Sequence, residues 1–147
     1  MIDTEHIQRA LVVEEARKWL RTPYHHMGRV KGAGVDCAML LAEVFERVGL
    51  VPRVDPGHYP PDIMLHQEKE EYLRWLKQYG HEVEAPQPGD VVAYKYGRCF
   101  SHGGIVVEWP TIVHAHRREG MVVLADGAQG EMGRLPRIFY AMNGVDD

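Results

Sequence analysis

Residues 34–50 read GVDCAMLLAEVFERVGL, a cysteine set directly after an aspartate and directly before a helical pattern. From Cys37 to about Val48 the apolar residues Ala38, Leu41, Ala42, Phe45 and Val48 recur at helical spacing. Glu43, Glu46 and Arg47 point outward on this pattern, and Gly49 supplies the stop. Asp36 fits the N-cap, where a carboxylate accepts from the first free amides. Cys37 then stands at a helix N-terminus, where unpaired amides and a partial positive charge favour a thiolate. A thiol so placed titrates below its free value of about 8.5 and suits a nucleophile. The bland alternative is a buried, inert cysteine packing as a small hydrophobe.

Outward from this helix the chain divides by character. Residues 4–20 form a helix by pattern, with Val12, Val13, Ala16, Trp19 and Leu20 on one face. RTPYHHMGRVKGAG, residues 21–34, is a loop broken by Pro23, Gly28, Gly32 and Gly34. LVPRVDPGHYPPD is irregular, and residues 62–79 return to helix. Leu65, Tyr72, Trp75, Leu76 and Tyr79 make its stripe, read as core, and Gly80 ends it. Beyond Gly80 the runs VVAYKY, GGIVVEW, TIVHAH, MVVLAD and RIFYAM are β-branched or aromatic and closely spaced. Such spacing leaves no room for crossover helices, so the sheet is expected to be antiparallel. The fold class is α+β, with N-terminal helices packed on a small antiparallel sheet. The whole chain, residues 1–147, is expected to be a single domain.

Composition narrows the function. Apolar residues are 45% and charged residues 26%, as in folded soluble proteins. The net charge of −4 gives no global signal for nucleic acid or an anionic membrane. The N-terminal stretch MIDTEHIQRALVVEEARKW has no apolar segment of a secretory leader, and no run is long enough to span a bilayer. The expected location is therefore cytoplasmic as synthesised. Two cysteines, Cys37 and Cys99, make no disulfide framework, and Cys99 reads as structural. Nine histidines are many for this length.

A cysteine nucleophile needs a base, and the base needs an orienting partner. His102, in CFSHGGIVVEW, starts a strand beside two glycines that allow close approach. Twelve positions on, His114 shares a strand face with Ile112 and His116. A hairpin through EWPT would bring His102 and His114 onto neighbouring strands, where His114 could fix the tautomer of His102. His116 remains an alternative for that role. Cys37, Cys99, His25, His26, His102, His114 and His116 also include enough nitrogen and sulfur ligands for zinc. However, the chain has none of the usual zinc-ligand spacings, so neither metal nor cofactor is expected. Tyr24 in TPYHH either donates toward the reacting centre or simply packs.

Together these residues resemble the NlpC/P60 family of papain-like cysteine peptidases. RTPYHHMGRVKGAGVDCAMLLAEVFERVGL is similar to that family's tyrosine, glycine-rich loop and Asp-Cys helix start. PQPGDVVAY is similar to its Pro-Gly-Asp strand start, SHGGIVV to its base-bearing strand and IVHAH to its third catalytic position. The match is nearest to the short members encoded in phage-tail and gene-transfer-agent clusters. The resemblance implies Cys37 as nucleophile, His102 as base and His114 as orienter. It places Tyr24, Asp36, Ser101 and Gly103 around the oxyanion and the substrate. It implies hydrolysis of peptidoglycan stem peptides at a D-γ-glutamyl–diamino acid bond, with phage-tail proteins as partners and delivery to the wall by the particle. One departure stands out: the family's usual Ser-Gly after the cysteine is Ala38-Met39 here, and Met39 could crowd the cleft. The rival expectation is a tail-assembly protein that keeps the fold with weak or no catalysis.

Overall fold

The computed structural model describes residues 4–53 and 71–143. Helix α1 (Thr4–Arg17) leads into a short hairpin of β1 (Arg29–Val30) and β2 (Gly34–Val35). Helix α2 (Cys37–Arg47) follows, then α3 (Glu71–Tyr79), β3 (Gly80–Val83), β4 (Val91–Tyr96), β5 (Cys99–Glu108), β6 (Thr111–His116), β7 (Met121–Asp126), the one-turn α4 (Gly130–Gly133) and β8 (Arg137–Met142). The six-stranded sheet runs β3-β8-β4-β5-β6-β7, and every registered pair is antiparallel. The α+β reading holds.

Three expectations are corrected. The first helix stops at Arg17, and a turn carries Trp19 into the core. The expected loop contains the hairpin of β1 and β2. The helix ends before Gly80 as expected, but residues 80–83, to which no strand was assigned, form the edge strand β3, paired with β8 from Gly80–Met142 to Val83–Phe139. The expected helix from residue 62 and its Leu65 lie outside the described residues up to 70.

Strand alternation divides the sheet into two faces. Val91, Ala93, Ile105, Val113, Ala115 and Met142 join α1 and α2 in the main core, with Val12, Trp19, Leu40, Val44 and Phe45. Val92, Tyr94, Val106 and Ile112 form a smaller core on the other face. Helix α2 is buried beyond its predicted stripe, because it touches α1 and β1 as well as β5 and β6. Glu43 is the consequence. Expected on the surface, it is only 4% exposed and is gripped by Arg29 at 2.7 Å, Arg47 at 3.4 Å and Arg53 at 3.5 Å. Arg9 of α1 is likewise buried, its Nη1 2.6 Å from Oδ1 of Asp90 at the start of β4.

The pairing of β5 with β6 runs from Glu108–Thr111 to Ile105–Val113. Toward the N-terminal end of β5 the strands part, and the backbone of residues 101–103 faces the start of α2.

Candidate active site

Asp36 builds the start of α2. Its Oδ1 accepts from the Met39 amide at 2.9 Å, and its Oδ2 accepts from the Met27 amide at 2.7 Å. One buried carboxylate thus caps the helix and pins the preceding loop. Asp36→Ala removes both bonds and leaves a buried amide unsatisfied. We expect it to cost about 2 kcal/mol, read as a lower urea midpoint, whereas an unchanged midpoint would contradict this role.

The cap delivers Cys37 to β5. Its sulfur lies 3.8 Å from the Ser101 carbonyl oxygen, and in thiolate form it accepts from the amides of Cys37, Ala38 and Gly103. Those amides flank His102 and open α2, so they favour the anion. Burial opposes them and wins, with nearby Asp36 adding to it, and the thiol is pushed well above its ordinary range. The expectation of a depressed thiol is therefore corrected: the resting thiol is protonated, on a residue only 4% exposed. Cys99, at the start of β5, is also buried, and the two cysteines form no disulfide.

His102 and His114 are both buried, and His102 Nε2 stands 2.9 Å from His114 Nδ1. His102 Nδ1 has no partner among the described residues. His116 stacks near His114, with ring centroids 5.0 Å apart, but the hydrogen bond to His102 belongs to His114. Tyr94 and Tyr96 flank the His102 ring at 6.1 and 6.0 Å. Burial, then His114 and His116 nearby, lowers His102 well below the ordinary imidazole range. No group of three His, Cys, Asp or Glu side chains among the described residues is arranged to hold a metal ion.

Burial, then His116, brings His114 down to about 4 from 6.5. Below pH 6.5 the unfolded chain binds a proton here that the folded protein refuses until about pH 4. Stability is therefore fully present above that window and falls as pH drops through it, by about 3 kcal/mol from this residue. Urea midpoints at neutral pH and at about pH 4.5 should converge more for His114→Gln than for wild type. Equal acid losses in the two proteins would refute the assignment.

An open cleft of about 420 Å³ is lined by Tyr24, Tyr96, His102, Ala115, His116 and Arg117, among others. Tyr24 is held by its amide, 2.8 Å from the Gly120 carbonyl, and bridges to Val35 beside the cap. Burial, with the Asp36 carboxylate nearby, raises its phenol well above the usual value, so it remains a proton donor. Ser101 offers its carbonyl to the sulfur, and Gly103 offers its amide. Met39 is buried in the main core and does not line this cleft. Tyr72, read as part of a core stripe, does pack against the main core. Its hydroxyl is buried, unpartnered among the described residues and set against Gly103. The one sequence signal of that hydroxyl was a phenol where Leu or Phe would have packed as well.

No curated protein matches the chain significantly. Solved structures do share the fold. NlpC1 from Trichomonas vaginalis is 15% identical with a TM-score of 0.67, covering 97% of this chain and 46% of its own. The peptidoglycan hydrolase RipB from Mycobacterium tuberculosis is 17% identical with a TM-score of 0.64, covering 95% and 68%. The NlpC/p60 domain of the peptidoglycan hydrolase SagA is 21% identical with a TM-score of 0.60, covering 91% and 98%. The chain therefore spans less than half the length of the Trichomonas protein but nearly all of the SagA domain. The model of the NlpC/P60 family matches residues 21–131, the span that holds the Asp-Cys cap, the two paired histidines and the cleft, and the chain belongs to that family.

Proposed function

We propose that the chain is a cysteine hydrolase cleaving an amide bond of peptidoglycan stem peptides. In this reading Cys37 is the nucleophile, His102 the base and His114 its orienter. The observation that carries it is the division of labour on His102. Nε2 is engaged by His114, while Nδ1 has no partner among the described residues, and the Cys37 sulfur rests on the carbonyl of the preceding Ser101. For Nδ1 to accept a proton, Nε2–H must donate to His114 Nδ1, so His114 selects the productive tautomer.

The steps follow from that arrangement. The Cys37 thiol gives its proton to His102 Nδ1 as the sulfur attacks the amide carbon. The Cys37 amide and the Tyr24 hydroxyl stabilise the oxyanion. His102 returns the proton to the leaving amine as the C–N bond breaks. Water, deprotonated by His102, then attacks the thioester, releasing the acid and restoring the thiol.

Peptidoglycan as substrate is supported by the family and by the neighbouring hydrolases RipB and SagA. Cleavage between D-γ-glutamyl and a diamino acid, and delivery by a phage-like tail, rest on the sequence resemblance alone. Among the described residues, no helix is long and apolar enough to cross a membrane. The test is mass spectrometry of defined muropeptides, including L-Ala-D-γ-Glu-meso-diaminopimelate, after incubation with the protein. New fragments identify the bond. Intact substrates from a folded sample would favour the assembly role, which the covered, protonated Cys37 also fits.

A further inference from the structure

Helix α3 carries polar atoms that core packing does not explain. The Tyr72 hydroxyl and the Trp75 indole N–H are buried, and neither finds a partner among the described residues. Leaving such groups unsatisfied is destabilising unless something else occupies them. Helix α3 lies against β3, β5 and β8. There the Tyr72 hydroxyl fills the space that a side chain at Gly103 would need, and a Cβ at that position would collide with it. The Val92 carbonyl, 2.9 Å from the same position, closes the space from the β4 side.

Gly103 follows His102, and its amide points to the Cys37 sulfur. Tyr72 therefore brings a proton donor to the short piece of β5 on which the nucleophile rests. Burial, reinforced by the Asp36 carboxylate nearby, holds the phenol protonated. The Asp36 charge also disfavours a substrate carboxylate at this spot. A neutral amide carbonyl, an acceptor with no charge to be repelled, fits it.

We propose that Tyr72 is a substrate-binding residue whose hydroxyl donates to an amide carbonyl oxygen of the acyl segment seated beside Gly103. This deepens the hydrolase reading and rests on its placement of Cys37. It also gives α3 a role in specificity, since the rest of that helix anchors the phenol through the fully buried Leu76.

The test uses Tyr72→Phe, which removes the hydroxyl and keeps the ring that packs. Two reagents probe Cys37 directly, with modification at that residue quantified by peptide mapping. Iodoacetamide carries an amide carbonyl, whereas methyl methanethiosulfonate carries none. The variant should lower the ratio of the iodoacetamide rate to the thiosulfonate rate about threefold. It should also lower kcat/KM on L-Ala-D-γ-Glu-meso-diaminopimelate about tenfold, chiefly through KM. Wild-type values for both would overturn the proposal. Faster reaction with both reagents, together with faster hydrolysis, would also overturn it and make Tyr72 a plug. If wild type cleaves no peptide, the hydrolase reading fails, but the reagent ratio still decides the role of Tyr72.

Discussion

Cys37→Ala is expected to abolish hydrolysis, lowering kcat/KM by at least about 10⁴-fold. On the proposed mechanism the attacking atom is this sulfur, which lies against the Ser101–Gly103 backbone. Without it, the pair of His102 and His114 has nothing to deprotonate but water. The residual rate would come from binding and oxyanion donors alone. The loss should not come from unfolding. Removing one buried sulfur atom costs about 1 kcal/mol, and the Asp36 cap that starts α2 binds the amide of Met39, not that of Cys37. Cys37→Ser should be nearly as inactive, because a hydroxyl is far harder to deprotonate with a histidine held this neutral. Cleavage of any muropeptide by a clean Cys37→Ala sample, read by mass spectrometry, would sink the mechanism. Slow alkylation of wild type at neutral pH would not, since burial alone raises the thiol.

The second large effect concerns stability. Arg9→Ala should destabilise the fold by about 3–5 kcal/mol. Arg9 and Asp90 are 5% and 1% exposed, and they meet at 2.6 Å. Arg9 Nη1 also donates to the Pro88 carbonyl at 3.1 Å, and Asp90 accepts from the Gln87 amide at 2.8 Å. Truncating the arginine leaves a carboxylate buried without its cation, which is worse than losing the pair. Arg9→Ala with Asp90→Ala should therefore cost less than the sum of the single changes. Urea denaturation of the four proteins would measure this coupling, and strict additivity would show that the pair is not a unit.

What could be read from the chain follows the range of the forces involved. The start of α2 was legible because capping is local: Asp36, Cys37 and Met39 are neighbours in sequence. The strands β4 to β8 were legible because they carry β-branched runs. Strand β3 was not, since GHEV has no apolar alternation and takes its place through pairing with β8. The hairpin of β1 and β2 has two residues per strand, too few to show a period. Glu43 was read as surface because its stripe position is polar. The arginines that bury it sit fourteen residues before it, at Arg29, and ten after it, at Arg53. Periodicity also could not choose between His114 and His116, which share a strand face. The choice depends on where β5 and β6 part, a tertiary fact that leaves His114 Nδ1 at 2.9 Å from His102. The Tyr72 hydroxyl was hidden for the same reason: a helical stripe says which side chains face inward, not which of their polar atoms lack a partner.

The covered, protonated sulfur has a consequence for durability. Peroxide attacks thiolates, and the climb from sulfenic to sulfinic acid needs an exposed, ionised sulfur. A cysteine kept neutral beneath the surface is a poor target for that chemistry. The activity should therefore survive aerobic storage without reductant, and peroxide should inactivate the protein only slowly.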